Sequence, residues 1–197
     1  TVLSDGGDFF NLFRYITFRA GGAFLTALIF GFIFGKPLIN LLRRRQGRGQ
    51  PIRSDGPEGH FSKIGTPTMG GALILGALVV STLLWARLDN MHIWVVLFVT
   101  IGFGAIGFAD DYAKVSKQTV AGVSGRLRLG LGFVIALIAS IAAAQLHPDG
   151  LSTQVAVPIM KDALVPFGIL FFPFAMIVIV GTANAVNRWK SMYTSSV

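Results

Sequence analysis

Five separated stretches of apolar residues dominate this sequence of 197 residues and limit what it can fold into. Each stretch has about the 20 residues that a helix needs to cross the hydrocarbon core of a bilayer. Inside a bilayer every backbone polar group must be bonded internally, which favours helices over open sheets. The sequence therefore predicts an all-α membrane protein, a bundle of about five spanning helices. The predicted spans are roughly Gly21 to Leu42, Met69 to Ala86, His92 to Ala109, Leu129 to Leu146 and Leu164 to Val186.

The composition supports a membrane protein, because 53% of the residues are hydrophobic and only 13% are charged. The net charge of +8 raises the alternative of a nucleic-acid-binding protein. However, the basic residues alternate with the sides of the membrane, and no nucleic-acid recognition motif accompanies them. We therefore expect no nucleic-acid partner. The absence of cysteine excludes a disulfide framework, a thiolate metal site and a cysteine nucleophile.

The distribution of basic residues predicts how the spans are oriented. Twelve of the 17 Lys and Arg residues lie in the first loop, the third loop and the C-terminal tail. Lys and Arg accumulate on the cytoplasmic side of inner-membrane proteins. With an odd number of spans, this places the N-terminus in the periplasm and the C-terminus in the cytoplasm.

The first basic loop contains a long polar segment rich in Gly and Pro, from Ser54 to Gly71. Its glycines permit tight turns and close backbone approach, and exposed amides next to a helix start can bind an anion. Lys63, Thr66 and Thr68 add hydrogen-bond donors suited to phosphate, and His60 is a further candidate phosphate contact. A purely structural turn before the second span is the alternative interpretation.

Two adjacent carboxylates, Asp110 and Asp111, follow the third span directly. Such a pair at a membrane boundary is costly unless a cation or a nearby base offsets its charge. Mg²⁺ is the obvious candidate, since it prefers carboxylate and phosphate oxygens, and a carboxylate not bound to the metal can act as a base. The alternative is a solvated helix end balanced by Lys114 and Lys117.

The fifth span ends with two amides, Asn184 and Asn187, three residues apart on one helical face. They are suited either to binding substrate or to pairing with neighbouring spans. In the fourth loop, the segment from Ser152 to Pro158 is β-branched and partly alternating, which indicates a short strand or hairpin. His92 and His147 show no metal-ligand spacing and are interpreted as interfacial residues.

In this order and on one side of the membrane, these motifs resemble the phospho-N-acetylmuramoyl-pentapeptide transferases. This family lies within the superfamily of polyprenyl-phosphate sugar-1-phosphate transferases. The resemblance covers nearly all of residues 9–187, and the long first-loop motif is its most specific part. The motifs that carry it are Tyr15-Ile-Thr-Phe-Arg-Ala20, the run from Asp55 to Gly71, Gly107-Phe-Ala-Asp-Asp-Tyr112 and Gly181-Thr-Ala-Asn-Ala-Val-Asn187.

The resemblance implies a helical inner-membrane enzyme of about ten spans, usually a homodimer, which requires Mg²⁺. Such an enzyme transfers phospho-MurNAc-pentapeptide from UDP-MurNAc-pentapeptide to undecaprenyl phosphate in peptidoglycan biosynthesis, giving lipid I and UMP.

The resemblance also implies roles for individual residues. Asp110 would activate the lipid phosphate, and Asp111 would be its partner at the metal or substrate. Lys63 and Thr68 would contact pyrophosphate. The remaining implied contacts are Asn184 and Asn187 on the nucleotide side, and Lys114, Lys117 and Arg128 as phosphate-attracting charges.

The sequence departs from the family pattern after Asn187. The family continues with an aspartate-containing motif, whereas this chain reads Arg188-Trp-Lys-Ser-Met-Tyr-Thr-Ser-Ser-Val197. We therefore expect residues 1–187 to be the N-terminal part of the transferase membrane domain and residues 188–197 to be an unrelated tail, from a truncation or a frameshift. A chain of this kind is expected to be inactive by itself. The alternatives are a related transferase for another UDP-sugar and a non-catalytic membrane interaction fragment.

Overall fold

The computed structural model of the chain describes residues 11–46, 69–118, 122–147, 152–156 and 164–194, with side chains as far as residue 185 in the last segment. This described part is predominantly helical, which confirms the predicted all-α membrane fold. Its helices are α1 (Ile16–Gln46), α2 (Gly71–Trp85), α3 (Met91–Lys117), α4 (Gly125–Gln145) and α5 (Phe171–Thr194). Its two short strands are β1 (Gln154–Ala156) and β2 (Leu164–Pro166).

All five predicted apolar runs contain a helix, but the helices differ in length. Among the residues that the structure describes, four helical segments are long and apolar enough to cross a membrane, namely α1, α3, α4 and the stretch Gly168–Ala185 that includes most of α5. Helix α2 has only 15 residues, so it extends for about 22 Å and is shorter than a typical hydrocarbon core. The second span is therefore shorter than the 69–86 prediction.

The backbone at both ends of α2 explains its length. Met69 has a φ of 75°, in the left-handed region that cannot continue a helix towards the N-terminus. At the other end Ala86 is extended, with φ −76° and ψ 158°. Both conformations depend on the turns that connect the helices, which hydropathy does not report.

The fifth helix begins later than predicted because residues 164–166 form a strand. β1 and β2 pair antiparallel, with Val155 opposite Val165 and Gln154 opposite Pro166. This confirms the strand expected between Ser152 and Pro158 and corrects the start of the fifth helix from Leu164 to Phe171. Pro166 has no backbone N–H to donate, so it suits the end of an edge strand.

The helices pack as neighbours in chain order, with α1 along α2 and α4 between α3 and α5. The buried positions of the described part are few and mostly small, including Ala136 and Ala139 of α4. Large apolar side chains such as Phe32, Ile74 and Ile177 are 76%, 70% and 65% exposed. An apolar surface this extensive suits contact with lipid.

Helices α1 and α2 are joined at one end by a polar and aromatic cluster around Trp85. The Nε of Arg19 donates to the carbonyl of Trp85 at 2.6 Å, where it satisfies an unpaired carbonyl at the end of α2. The indole Nε1 of Trp85 donates to Thr26 Oγ1 at 2.9 Å. Phe13 stacks on the same ring with centroids 5.9 Å apart. Part of the Tyr15-to-Ala20 motif thus holds this helix pair together.

The Trp85 cluster predicts an unusual response to alanine substitution in α1. Alanine normally stabilises a helix by about 1 kcal/mol relative to glycine, but a Cβ at Gly22 would overlap the Trp85 ring. We expect Gly22→Ala to destabilise the protein by about 1–3 kcal/mol. Gly21→Ala is the matched control, because a Cβ there meets nothing within 4 Å. Thermal unfolding in detergent should show a lower midpoint for Gly22→Ala only, and equal midpoints would contradict the packing.

Candidate functional site

A cavity of about 1210 Å³ lies between α2 and α3 and reaches α4 and α5. Its walls are mostly apolar along α2 and the middle of α3, and they become polar near the C-terminal end of α3. Five polar or charged side chains that the sequence analysis identified as candidates line this cavity. The polar lining residues are Asp110, Asp111, Lys114, Arg128 and Asn184.

Asp110 is the centre of the polar end, and only 7% of the residue is exposed. Its Oδ2 lies 2.6 Å from the Nζ of Lys114 and 3.8 Å from the NH1 nitrogen of Arg128. Its Oδ1 accepts a hydrogen bond of 2.8 Å from the backbone N–H of Val123. Burying a carboxylate is costly unless it is paired and hydrogen-bonded, and these three contacts meet that requirement.

Local structure around the end of α3 explains how these groups meet. The helix continues to Lys117, eight residues beyond the predicted end of the third span, so Lys114 lies one turn after Asp110 on the same face. Gln118 adopts the left-handed conformation (φ 48°) and ends the helix. Ser124 accepts a hydrogen bond from the backbone N–H of Leu127 and starts α4. This short return places Arg128 beside Asp110.

Gly122 lies against Asp110, a contact that the sequence interpretation missed. A Cβ at this position would overlap Asp110 Oδ1 and lie 2.8 Å from both Asp110 Cγ and Lys114 Cε. Only glycine allows the loop to come close enough for the backbone N–H of Val123 to reach the carboxylate. A glycine in a short connection after an acidic pair is a signal that could have identified it.

Asp111 also lines the cavity but has a different environment. Its side chain is 38% exposed, and its Oδ1 lies 4.0 Å from the Nζ of Lys114. The two adjacent aspartates therefore differ, since Asp110 is enclosed by cations and an amide while Asp111 is more open to the cavity. The two carboxylates therefore differ in burial and in the charges around them.

The carboxylates of Asp110 and Asp111 would supply only part of the ligand set of a magnesium ion. Mg²⁺ is usually held by one or two carboxylates together with substrate phosphates and water, and Asp111 at the cavity wall supplies such a ligand. In the part of the chain that the structure describes, no group of three or more His, Cys, Asp or Glu is arranged to hold a metal. The described residues would therefore supply some of the ligands, and a bound phosphate would complete the set.

The remaining predicted site residues are placed as follows. Asn184 lines the cavity, and its Nδ2 donates to the carbonyl of Val180 at 2.8 Å. Asn187 lies in α5, but its side chain is outside the described part of the structure. The predicted first-loop residues His60, Lys63, Thr66 and Thr68 are also outside it. The last residues of that loop motif, Met69 and Gly71, do line the cavity, so the motif ends at the site.

The fold and this cavity define an integral membrane protein with a paired acidic and basic site near one end of its helices. Residues 93–190 match the family model described as glycosyl transferase family 4, and that range includes the whole Asp110 cluster. Just under half of the chain is therefore similar to this family.

Individual curated relatives are similar to the chain over almost its whole length. The chain is 70% identical over 187 residues to a phospho-N-acetylmuramoyl-pentapeptide-transferase of a Ruegeria species. It is 69% identical to the protein of the same name from Ruegeria pomeroyi and 68% identical to that from Dinoroseobacter shibae. Each comparison covers 95% of this chain and 52% of the relative. The chain thus spans about half the length of the curated relatives it matches.

Proposed function

We propose that this chain forms part of an inner-membrane transferase of peptidoglycan biosynthesis. The reaction moves phospho-MurNAc-pentapeptide from UDP-MurNAc-pentapeptide to undecaprenyl phosphate, with lipid I and UMP as products. The observation that carries the proposal is the cluster in which Asp110 holds Lys114 and Arg128 beside Asp111, at the polar end of a largely apolar cavity. The name of the relatives supplies the transferred group, phospho-MurNAc-pentapeptide, and the resemblance of the sequence motifs implies the UDP carrier and undecaprenyl phosphate.

The charges at the cavity end suit the chemistry of this reaction. A phosphate that attacks a pyrophosphate brings several negative charges together, and catalysis then consists mostly of positioning and charge neutralisation. Lys114 and Arg128 provide cations at the cavity wall, and Asp110 fixes their positions. We propose that Asp110 has this orienting role in addition to the activating role that the resemblance implies.

Magnesium is the proposed cofactor, and Asp111 is the described residue that best suits it. When bound, the ion would supply positive charge at the phosphate oxygens. Asp110 is a weaker candidate ligand, because Lys114 and the Val123 amide already contact its two oxygens. The nucleotide side of the site is assigned to Asn184 and Asn187, and the pyrophosphate contacts to Lys63 and Thr68. Thr66 and His60 are proposed as further phosphate contacts.

The apolar part of the cavity suits the lipid substrate, undecaprenyl phosphate. Leu75, Val79 and Ile101 line it away from the charged end, so a molecule with a phosphate head and a polyprenyl tail matches both regions. Desolvation of an apolar tail favours binding by about 0.8 kcal/mol per buried CH₂ group. This matching of chemistry along the cavity supports undecaprenyl phosphate as the acceptor.

We also propose the orientation predicted from the basic residues, with the polar cavity end in the cytoplasm and the N-terminus in the periplasm. The last turn of α1 carries Arg43, Arg44 and Arg45, and the last turn of α3 carries Lys114 and Lys117. Since α2 runs back between these helices, both basic ends lie on one side of the bundle.

The turn between α2 and α3, on the opposite side of the bundle, is nearly neutral in charge, which supports the same orientation. In the turn between α2 and α3, Arg87 pairs with Asp89 at 2.7 Å. The hydrogen bond from this arginine lowers the pKa of Asp89. The division into a membrane domain over residues 1–187 and a tail over 188–197 stays a prediction, as does a homodimer of the complete protein.

The proposed function is tested by Mg²⁺-dependent release of UMP from UDP-MurNAc-pentapeptide, with undecaprenyl phosphate in detergent. We expect activity when the chain is extended by the C-terminal half of the Ruegeria relative, and no turnover by the 197-residue chain alone. UDP-GlcNAc as donor should release no UMP. Preference for UDP-GlcNAc would favour a related sugar-phosphate transferase. Turnover by the chain alone would show that these residues contain the whole site.

A further inference from the structure

Two histidines that are far apart in the sequence meet at the end of the α3–α4 pair opposite Asp110. His92 lies at the start of α3, and His147 follows the end of α4. Their ring centroids are 5.1 Å apart and the rings are nearly perpendicular, at 87°. Because α3 and α4 are antiparallel, residues 55 positions apart become neighbours. Both residues are exposed.

Each of these histidines is oriented by an oxygen at its Nδ1 atom. His92 Nδ1 lies 3.0 Å from Asn90 Oδ1, and this oxygen also accepts a 3.0 Å hydrogen bond from the backbone N–H of His92. His147 Nδ1 lies 2.9 Å from the carbonyl oxygen of Ala143. Carbonyl and amide oxygens only accept hydrogen bonds, so Nδ1 carries the proton in both rings.

This protonation leaves the Nε2 lone pair of each neutral ring available as a ligand. Histidines that bind metals almost always donate their other ring N–H to a carboxylate, a carbonyl or water, which fixes the tautomer and the direction of the ring. Both histidines have this arrangement. Two rings that are oriented separately and lie in contact bring two imidazole ligands to one place.

We propose that His92 and His147 form a binding site for a divalent transition metal such as Zn²⁺, with water at the remaining positions. Imidazole suits Zn²⁺, Cu²⁺ and Ni²⁺, whereas Mg²⁺ prefers carboxylate, carbonyl and water oxygens. The site is distinct from the proposed magnesium site. Asp110 is 18 residues along α3 from His92, a distance of about 27 Å at the helical rise.

A metal at this position would join the start of α3 to the end of α4. The same two helices carry Asp110 and Arg128 at their other ends. A ligand that binds only the folded arrangement stabilises it by mass action, so the ion would hold the helix pair together. This inference does not depend on the proposed transferase function.

The test is titration calorimetry of Zn²⁺ into the tag-free, detergent-solubilised chain. We expect one Zn²⁺ per chain, with affinity at least about tenfold lower in His92→Ala and in His147→Ala. His60→Ala is the matched control, since it removes the third histidine of the chain, and it should leave the affinity unchanged. Mg²⁺ should not compete for this site. Each variant is compared by circular dichroism and by thermal unfolding without metal, and His147→Gln replaces any variant that does not fold.

A second variant tests the orientation of the ring. Asn90→Ser keeps a residue that can cap α3 but is too short to hold the His92 ring, so we expect Zn²⁺ affinity to fall about tenfold. The proposal is overturned if Zn²⁺ binding depends on His60, or if either His92→Ala or His147→Ala binds within twofold of the unchanged protein. Unchanged affinity in Asn90→Ser would overturn the orienting role of Asn90.

Discussion

Asp110→Asn in the extended protein is expected to lower the rate of UMP release by about 100- to 1000-fold, the scale for losing one oriented electrostatic group in an active site. The Val123 amide and the Lys114 ammonium contact different oxygens of Asp110, and asparagine replaces one of these oxygens with an NH2 donor, so one of the two contacts is lost. It also removes the negative charge that holds Lys114 at 2.6 Å and Arg128 at 3.8 Å. Both cations would then leave the positions that suit the substrate phosphates. The measurement is kcat and KM for UDP-MurNAc-pentapeptide at saturating Mg²⁺.

Asp89→Asn is the matched control for this substitution. Asp89 also pairs with an arginine, but its side chain is 65% exposed and lies between α2 and α3 at the other end of the bundle. Exposed ion pairs contribute little because water and salt screen them, so UMP release should change less than about twofold. If Asp110→Asn keeps more than a third of the activity, the cluster around Asp110 is not the reaction site.

Gly122→Ala is expected to reduce UMP release by about 100-fold although residue 122 carries no reactive group. The added methyl group would overlap Asp110 Oδ1 and crowd Lys114 Cε at 2.8 Å, so either the loop or the ion pair must move. A displacement of about 1 Å in a catalytic group can cost a factor of about 100 in rate. We expect the loss mainly in kcat, with a smaller loss in thermal stability.

Gly125→Ala is the control for this prediction. Gly125 is the first residue of α4, three positions further along the chain, and a Cβ there meets nothing within 4 Å. This variant should keep its activity. Equal losses of activity in Gly122→Ala and Gly125→Ala would mean that any substitution in this region lowers activity. The close contact between Gly122 and Asp110 would then not be the cause of the loss.

The sequence predicted the membrane bundle well because hydropathy over about 20 residues depends only on local composition. It predicted helix boundaries less well where backbone conformation decides them. The left-handed Met69 shortens α2, and pairing of Val165 with Val155 delays α5 to Phe171. Each effect depends on a turn or on a distant partner that a local window does not include.

The residues of the candidate site were likewise predicted where local sequence was enough and missed where it was not. The acidic pair was found because two adjacent carboxylates after an apolar run are unusual in themselves, and the i, i+4 spacing to Lys114 can be read along one helix. Gly122 was missed because its role depends on how closely the loop returns to Asp110. The pair of His92 and His147 was missed because 55 residues and two antiparallel helices separate its members in the sequence.

Cysteine protection tests the central claim, that the substrates react in the cavity between α2 and α3, most directly. The chain contains no cysteine, and the added C-terminal half is made cysteine-free. A single cysteine placed at Ala183, which lines the cavity, is then the only thiol in the extended protein, and its reaction with a thiol reagent can be measured. We expect UDP-MurNAc-pentapeptide with Mg²⁺ to slow modification of Ala183→Cys at least about tenfold, as burial of the thiol would. Ala185→Cys, exposed on the same helix outside the cavity, should react at an unchanged rate. Equal rates with and without substrate at Ala183→Cys would contradict this location of the site.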